Sequence, residues 1–523
     1  MTDAAASVPG TTQKAPARLD ARPDTLPATD LAETPASLPA ADPLAPYDAV
    51  LLLSYGGPQG PDDVLPFMRN ATAGRGVPDS RLAEVSVHYQ RFDGVSPINT
   101  RNAELLTALR AELAARGSRV PVVLGNRNWH PFVSEALREL ADAGARRVLA
   151  LTTAAYASYS GCRQYREDLA AALDMLATGS DGATGQGVEA DAAARVGGAG
   201  GEPVHLVVDK TRPFYNTPGM LQANADAIAA AYDELAAQGV PAQSVHLVLV
   251  THSIPTSMER GSAPDASSSS GGGALGPREE EAGHWGAPPK AWRGWRERPE
   301  ERGPRMVAEA ATTRAPLPAP STPPAPQHPA LPAPAAREPG VTEDLSTEIS
   351  YVEQHLRLAR VLLPAVAERV GMASPPPVDL AFCSRSGPPQ ARWLEPDIND
   401  RITALAALPR RPGGIIVAPI GFIADHMEGV FDLDTEARET ADLLAMPYAR
   451  AATAGTHPAL VASLVDLLAE RAAVARGESV VPTTTTGAGP FHTVCPPECC
   501  RPAVGGAHPH SAHLPTPDPE EES

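Results

Sequence analysis

The sequence predicts an α/β protein with two doubly wound parallel sheets that face a central cleft, together with long disordered segments. Short apolar runs alternate with helical patterns, which is typical of parallel strands joined by helices. Two of the runs, ending at Ser54 and Thr251, stop abruptly in polar, turn-forming residues. Proline-rich stretches interrupt this pattern, and 57 of the 523 residues are proline. The remaining chain is long enough for two α/β domains of ordinary size.

The first half of the pattern follows a Pro- and Ala-rich tail, residues 1–45, which we expect to be disordered. We assign 46–178 to a first domain and 179–202 to a glycine-rich spacer. In order, the predicted elements of this domain are a strand at Tyr47–Ser54, helices at Ser80–Tyr89 and Thr100–Arg116, a strand at Pro121–Gly125, a helix at Val133–Ala143, a strand at Arg147–Thr152 and a helix starting near Cys162.

A second domain is predicted over 203–258 and 346–450, with a disordered insertion, 259–345, between its two parts. The insertion is so rich in Pro, Ala and Ser that it cannot bury enough apolar surface to offset chain entropy. A C-terminal helix (451–478) and a cysteine-containing low-complexity tail (479–523) complete the chain. The predicted elements are strands at Val204–Val208, Ser244–Thr251, Val378–Cys383 and Gly414–Pro419, and helices at Pro218–Gln238, Tyr351–Val370 (capped by Ser346 or Thr347) and Pro458–Arg476.

Charge and hydropathy narrow the class of partner. The formal net charge is −19, which argues against nucleic acid as the main partner, because phosphate binding needs a basic face. No window offers the roughly 18–20 continuous apolar residues of a membrane span. The N-terminus lacks a basic segment followed by an apolar one, so we expect no secretory signal and a cytoplasmic location. Peripheral membrane association stays open.

His252 stands at the end of the apolar run V-L-V-T-H-S-I-P. In open α/β sheets, ligands bind just beyond the carboxyl ends of the strands. The position therefore suggests a histidine at the edge of a cleft, with a loop or capping histidine as the alternative. Imidazole has an intrinsic pKa suited to proton transfer near neutral pH.

A row of carboxylates follows a second apolar run near Ile420. If the segment is helical, Glu428, Asp432 and Glu436 are spaced at i, i+4 and i+8 and share one face. Like charges in such a row repel, and a cation would offset that repulsion. Oxygen ligands beside an imidazole suit iron or another first-row metal. The alternative is a solvated acidic helix face.

Cysteine usage indicates a metal site rather than disulfides. There are five cysteines, an odd number, and three of them, Cys495, Cys499 and Cys500, are clustered near the C-terminus. Thiolates in such a set suit an iron–sulfur cluster or zinc, and reduced thiols are the alternative. Cys383, inside a predicted strand, is expected to be a small buried core residue.

Seven segments in this order resemble the ferrochelatase family, most closely the actinobacterial type that makes Fe-coproporphyrin III. The resemblance covers about 46–258 and 346–476. The matching segments are S-Y-G-G-P, F-D-G-V-S-P-I-N, G-N-R-N-W-H-P-F-V, Y-S-G-C-R-Q-Y, H-S-I-P, C-S-R-S-G-P-P-Q-A-R-W-L-E-P-D-I-N-D and P-I-G-F-I-A-D-H-M-E-G-V-F-D-L-D-T-E. H-S-I-P alone would be a weak signal, but seven segments in register are specific.

The resemblance implies two Rossmann-like chelatase domains with a porphyrin in the cleft between them. His252 and Glu428 match the inner metal-site pair, and Asp432 and Glu436 would continue the acidic line as a relay. The residues matching porphyrin-side positions are Tyr55, Ser96 and Tyr165 and, more weakly, His88, Tyr89 and the arginines Arg69 and Arg75, whose guanidinium groups could pair with propionates.

The implied activity is insertion of ferrous iron, the substrate metal, into coproporphyrin III in haem b biosynthesis. The alternative substrate is protoporphyrin IX, and the alternative of another class is a non-catalytic haem- or metal-binding carrier or sensor on the same scaffold. The resemblance also implies a [2Fe–2S] cluster on Cys162, Cys495, Cys499 and Cys500. The porphyrin product would pass to a downstream enzyme of the haem pathway.

Overall fold

The computed structural model describes residues 42–73, 77–178, 204–261, 349–385, 391–486, 492–495 and 499–500. The disorder predicted for 1–45, for the spacer and for the insertion therefore concerns residues that lie almost entirely outside these ranges. Arg75 and the proposed caps Ser346 and Thr347 also lie outside them.

Two four-stranded parallel sheets form the framework, which confirms the α/β fold class. The first sheet has the order β2-β1-β3-β4 and the second the order β6-β5-β7-β8, so both place their first strand second from one edge. The strands are β1 (Ala49–Ser54), β2 (Val122–Asn126), β3 (Arg147–Thr152), β4 (Val207–Lys210), β5 (Val245–His252), β6 (Val378–Cys383), β7 (Gly414–Ala418) and β8 (Tyr448–Arg450).

Helices connect and cover the strands in both halves. Those of the first half are α1 (Val64–Ala71), α2 (Asp79–Gln90), α3 (Pro97–Ala115), α4 (Val133–Asp142) and α5 (Gln164–Thr178). Those that follow are α6 (Pro218–Ala237), α7 (Thr256–Gly261), α8 (Tyr351–Arg369), α9 (Ile398–Ala406), α10 (Met427–Val430), α11 (Ala437–Leu443) and α12 (Pro458–Ala475). In the described ranges no helix combines the length and the apolar composition that crossing a membrane would require.

The central strands are apolar along their whole length because both faces of each sheet are covered. Every residue of β1 is buried, from Ala49 to Ser54, and in β5 all but His246 and His252 are buried. Alternation of apolar and polar residues is absent in such strands, and a continuous apolar run replaces it. Their last residues, Ser54 and His252, are polar, and in open α/β sheets ligands bind beyond this end of the strands.

Helix α12 joins the two halves. Its Asp466 pairs with Arg116 at the end of α3, and its Ser463 hydroxyl accepts a hydrogen bond from the Gly219 N–H of α6 at 3.0 Å. Gly219 has no side chain where α6 and α12 cross, and a Cβ there would overlap the Ala459 carbonyl. The C-terminal helix therefore packs as part of the core.

Gln354, at the start of α8, fastens the second half to the first. Its amide oxygen accepts from the Ala157 N–H at 2.7 Å, and its amide nitrogen donates to the Ala157 carbonyl at 2.9 Å. Tyr156 adds a hydrogen bond from its hydroxyl to the Ile420 carbonyl at 3.0 Å. The loop after β3 is thus fixed both to α8, through Gln354, and to the loop after β7, through Tyr156. The cap of α8 is Ser350, which accepts from the Glu353 N–H.

Candidate functional site

The carboxyl ends of β5 and β6 hold the candidate histidine. His252 is the last residue of β5 and lies opposite Cys383 in the strand register. Its Nδ1 is 3.3 Å from the Cys383 carbonyl oxygen. The Tyr351 hydroxyl reaches the His252 carbonyl at 3.3 Å and the Thr251 hydroxyl at 2.6 Å. The Cys383 carbonyl thus contacts the imidazole, and the Tyr351 hydroxyl holds the backbone of the strand end.

The loop after β7 passes directly over this strand end. The Gly421 N–H donates to the Val250 carbonyl at 3.1 Å. A Cβ at Gly421 would overlap the Thr251 hydroxyl, so the close approach of the two backbones needs glycine. Glycine in P-I-G-F thus serves to bring the following acidic segment to the end of β5.

The acidic segment is a continuous run of helical turns. His426 caps it by accepting from the Gly429 N–H at 3.2 Å, and α10 then continues into a π-helix over Phe431–Glu436 before α11 begins. The segment is therefore helical but not one uniform α-helix, and the i→i+5 bonding changes the angular spacing of Glu428, Asp432 and Glu436. Such π segments occur frequently at functional sites.

Asp432 is a buried carboxyl with a shifted proton affinity. Burial raises its pKa to about 6, the hydrogen bond from the Ser384 hydroxyl opposes that shift, and the charge of Glu428 adds to it. The Ser384 hydroxyl donates to Asp432 at 2.6 Å. Asp432 therefore gains and loses a proton near neutral pH.

Glu436 continues the same electrostatic line. Burial raises its pKa to about 7, and the charges of Asp432 and Asp397 reinforce the shift. The pKa of the Tyr89 hydroxyl is raised by burial and then by the charge of Glu428. The charge of Glu428, in the second half, therefore acts on Tyr89, in the first half.

Cys383 links the histidine to the carboxylates. Burial raises the pKa of its thiol, and the nearby charges of Asp432 and Glu428 contribute. The backbone of Cys383 faces His252, and the hydroxyl of the next residue, Ser384, donates to Asp432, so this short segment contacts both the histidine and a carboxylate. The pKa of His426 is lowered to about 3 by burial and then by the charge of His252. His426 is therefore neutral at physiological pH.

An aromatic cluster from the first half lies against α10. Phe67 contacts the rings of Tyr55, Tyr89 and Trp129 at centroid distances of 6.1–6.3 Å. Met427, next to Glu428, is buried in the same cluster. Tyr55 is 36% exposed and so presents its side chain to solvent. A flat apolar ligand can lie against such a surface.

Ser96 and Tyr165 are buried, at 3% and 4% exposed. Arg127, which the sequence did not single out, lies over the rings of Tyr165 at 4.6 Å and Tyr55 at 5.8 Å. Its guanidinium also pairs with Asp168. Arg127 belongs to the segment G-N-R-N-W-H-P, and nothing in that segment indicates that its guanidinium lies over two tyrosine rings.

Arg69 and His88, two of the other expected porphyrin-side residues, already have partners in the structure. Arg69 pairs with Asp79 at 2.8 Å and is 48% exposed, so its charge is already matched by a carboxylate. His88 stacks on Phe431 at 4.1 Å, and Arg91 lies over the same ring at 5.6 Å. Helix α2 is therefore in contact with the π-helix that follows α10.

Cys162 is distant in sequence from Cys495, Cys499 and Cys500 but lies near them in the fold. Cys162 lies in a π-helix at Tyr159–Arg163, and Cys500 lies 3.6 Å from Cys499 between sulfur atoms. Hydrogen bonds with Cys495 and Cys500 lower the pKa of the Cys162 thiol well below its usual value. Cys162, Cys499 and Cys500 are buried. The fifth, Cys383, is buried in β6 as expected.

Across the ranges that the structure covers, no group of three or more His, Cys, Asp or Glu side chains has its donor atoms placed to hold a metal ion. The sulfurs of Cys499 and Cys500 are thus in contact, but the four thiols do not form a metal-binding geometry in the described residues. Their chemistry nevertheless fits a thiophilic metal or cluster, because the donor set is all sulfur and largely buried.

Comparison with known proteins agrees with this geometry. The ferrochelatase family model matches residues 47–472. The coproporphyrin III ferrochelatase of Streptomyces coelicolor is 38% identical over 88% of this chain and 97% of its own length. That of Leifsonia xyli is 36% identical over 92% and 100%, respectively. A ferrochelatase of Rhodopirellula baltica is 30% identical over 90% and 99%.

Among solved structures, SirB from Bacillus subtilis with Fe3+ aligns with a TM-score of 0.34 and 10% identity, over 82% of this chain and 97% of that one. A likeness this low adds nothing on the fold. The family model and the relatives span almost all of the described chain. The chain therefore belongs to the ferrochelatase family.

Proposed function

We propose that the chain inserts ferrous iron into coproporphyrin III to give Fe-coproporphyrin III in haem b biosynthesis. The observation that carries the proposal is the strand-end His252, whose ring contacts the Cys383 carbonyl while the hydroxyl of the next residue, Ser384, donates to the carboxylate of Asp432. The relatives from Streptomyces and Leifsonia are named coproporphyrin III ferrochelatases, which supports the choice of porphyrin.

His252 and Glu428 form the inner pair of this proposal. Insertion of a metal ion into a porphyrin removes two pyrrole protons and strips the metal of water. A neutral imidazole can accept a proton, and a carboxylate beside it stabilises the imidazolium that forms. Fe²⁺ is the substrate metal, and nitrogen and oxygen ligands suit it.

Asp432 and Glu436 form the relay of the proposal. Their pKa values, about 6 and about 7, allow each carboxyl to exchange a proton near neutral pH. The pair can therefore lead protons away from the inner site or lead a hydrated metal ion toward it. Ser384 holds Asp432 in place through its hydroxyl.

The porphyrin is proposed to lie between two Rossmann-like domains, 46–178 on one side and 203–258 with 346–450 on the other. Tyr55, Ser96 and Tyr165 are the proposed porphyrin contacts, of which Tyr55 is the most exposed. His88, whose ring stacks on Phe431, and the buried Tyr89 are secondary candidates. Arg69 and Arg75 stay proposals for propionate binding, and Arg69 would first have to leave Asp79.

The decisive experiment compares Fe²⁺ insertion into coproporphyrin III and into protoporphyrin IX under anaerobic conditions. We expect faster turnover with coproporphyrin III, loss of most activity in His252→Ala and Glu428→Gln, and normal activity in His205→Ala, because His205 is exposed before β4. Preference for protoporphyrin IX would support the alternative substrate. Porphyrin binding without turnover in the unaltered protein would support a carrier or sensor.

Cys162, Cys495, Cys499 and Cys500 are the proposed ligands of a [2Fe–2S] cluster, with zinc or free thiols as alternatives. When bound, such a cluster supplies a one-electron redox centre. The support is an all-sulfur, largely buried set of four side chains. A brown anaerobic preparation containing iron and sulfide is expected. A colourless preparation with neither would contradict the cluster.

A cytoplasmic location and transfer of the product to a later enzyme of the haem pathway complete the proposal. Neither requires a nucleic-acid partner, and the net charge of −19 disfavours one. Fractionation of cells and a pull-down with the loaded enzyme would check these two points.

A further inference from the structure

Three buried rings meet behind the two segments that carry His252 and Glu428. The imidazole of His355, on α8, is stacked on the ring of Tyr156, with 3.7 Å between the ring centroids and 7° between the planes. The ring of Tyr351, one turn earlier on α8, meets the imidazole edge-on at 4.6 Å and 65°. His355 is fully buried, and the two tyrosines are 3% and 6% exposed. The imidazole therefore packs against both tyrosine rings.

Each tyrosine holds one of these two segments through its hydroxyl. The Tyr351 hydroxyl is 2.6 Å from the Thr251 hydroxyl and 3.3 Å from the His252 carbonyl oxygen. The Tyr156 hydroxyl donates to the Ile420 carbonyl at 3.0 Å, at the start of the loop that leads to the acidic segment. A shift of one tyrosine relative to the other would therefore move the end of β5 relative to this loop.

Stability alone does not explain why residue 355 is a histidine. Its Nδ1 is 2.8 Å from the Tyr351 carbonyl oxygen, which can only accept, so Nδ1 carries the proton and donates. Nε2 is buried and has no hydrogen-bond partner among the residues that the structure describes. Burial lowers the pKa of His355 to about 3, so the ring is neutral. A buried acceptor without a partner costs free energy, and a leucine of similar size would avoid that cost.

We propose that His355 is a positioning residue for metal insertion, because its flat ring fixes Tyr156 against Tyr351 and thereby the end of β5 against the loop that leads to Glu428. The inference rests on the proposed inner pair of His252 and Glu428. Groups that act together on one metal ion have to be held within about 0.5 Å of their productive arrangement, and residues packed behind them do this. His355 acts through the two tyrosines.

The test is steady-state Fe²⁺ insertion into coproporphyrin III by His355→Leu and His355→Phe. Leucine fills a similar volume without a flat face, and we expect kcat to fall about 10- to 100-fold, as small misplacements at a reacting centre do. The KM for the porphyrin should change less than about twofold, since the proposed porphyrin contacts are not altered. Phenylalanine keeps the flat ring and should keep kcat within a few-fold. Neither variant should lower the urea midpoint, because each removes the unpaired nitrogen.

Leu362→Ala is the control for lost stability. Leu362 is fully buried on the same helix, two turns beyond His355. Its truncation leaves a cavity and should lower the urea midpoint while kcat stays unchanged. Unchanged kcat in His355→Leu would overturn the proposal. So would equal losses in His355→Leu and His355→Phe, since a flat ring would then be unimportant, or a loss in Leu362→Ala as large as in His355→Leu.

Tyr156→Phe tests the same inference without altering the histidine. It keeps the ring that stacks on His355 and removes only the hydrogen bond to Ile420. We expect a lower kcat in this variant. When it is combined with His355→Leu, the loss should be smaller than the product of the two single losses, because both changes release the same loop. Losses that multiply, or normal kcat in Tyr156→Phe, would contradict the inference.

His252→Ala separates this inference from the proposed function. If His252→Ala keeps near-normal Fe²⁺ insertion, the proposed inner pair is wrong and the role of His355 fails with it. If His252→Ala abolishes insertion while His355→Leu leaves kcat unchanged, the inner pair stands and only the role of His355 is overturned. Loss of kcat in both variants, with an unchanged urea midpoint in His355→Leu, is the expected result.

Discussion

Asp432 shows how burial changes what a carboxyl can do. In water the group would be ionised throughout the physiological range. Beside Ser384 and Glu428, its pKa is instead about 6, chiefly through burial. The folded protein therefore holds this proton more tightly than the unfolded chain does. Stability from this group is complete below about pH 4 and is lost as the pH rises through about 6.

Asp432→Asn should stabilise the protein at high pH. The amide keeps the shape and an oxygen for the Ser384 hydroxyl but carries no charge to bury. We expect a gain of about 1–3 kcal/mol in free energy of unfolding at pH 8, shrinking toward zero at pH 4. Urea unfolding at both pH values measures it. Asp142→Asn, at an exposed site on α4, should show no such pH dependence, and a constant difference for Asp432→Asn would contradict the explanation.

Tyr351→Phe should reduce turnover by loosening the backbone at His252. The ring would still pack, but the hydroxyl contacts with Thr251 and His252 would be lost. We expect a lower kcat with little change in KM for the porphyrin, and a stability cost of about 1 kcal/mol. Steady-state Fe²⁺ insertion measures both constants.

Tyr232→Phe is the matched control for Tyr351→Phe. Its hydroxyl is buried and has no hydrogen-bond partner among the residues that the structure places, so removing it should cost nothing. A loss of kcat in both variants alike would argue against a role for the Tyr351 hydroxyl.

At the scale of elements, strands were easier to predict than helices. Strands β3 and β6 begin and end where the sequence predicted, because a buried parallel strand is a continuous apolar run with clear ends. Strand β8 is only three residues long and was missed. Helix α1 was missed because Pro66 obscures its pattern, although a proline in the first turn gives up no helical hydrogen bond.

The site was predicted unevenly for a similar reason. His252 stands at a strand end, which is a position that a sequence reveals. The π-helix at Phe431–Glu436 and the left-handed backbone of Ser384, with φ of 59°, depend on tertiary contacts and have no local signature. Arg127 was missed because its ring contacts involve residues distant in sequence.

Helix α12 is held by ion pairs of two kinds, and their contrast gives a prediction. The Arg212–Glu470 pair is 2% and 8% exposed, whereas Arg116–Asp466 is 33% and 67% exposed. Glu470→Ala should cost about 3–5 kcal/mol, because it leaves a buried guanidinium without its partner. Asp466→Ala should cost at most about 1 kcal/mol. Equal shifts in the urea midpoint would contradict this difference.

At the scale of the whole molecule, the long insertion separates two segments of chain that are joined in space. Helix α7 before it packs on α8 after it, and Met258 of α7 lies 3.5 Å from the Ser160 hydroxyl. The fold between these helices therefore does not depend on the length of the connection. Long connections add little to the free energy of loop closure.

Replacing 262–343 with a short Gly/Ser linker should leave kcat and KM for Fe²⁺ insertion unchanged. The linker keeps α7 and α8 connected, and no described side chain is removed. Steady-state kinetics and urea unfolding measure the result. A fall in kcat with an unchanged unfolding midpoint would assign the segment a role in the reaction instead.

The two sheets have the same strand order, and Tyr55 and His252 stand at equivalent points in it, one directly after β1 and the other at the end of β5. The two halves are therefore related by pseudo-symmetry, like the subunits of a dimer joined in one chain. A true homodimer would have to place the same side chain at both points. Covalent linkage of the halves releases that constraint, so one copy can keep an aromatic ring while the other carries an imidazole.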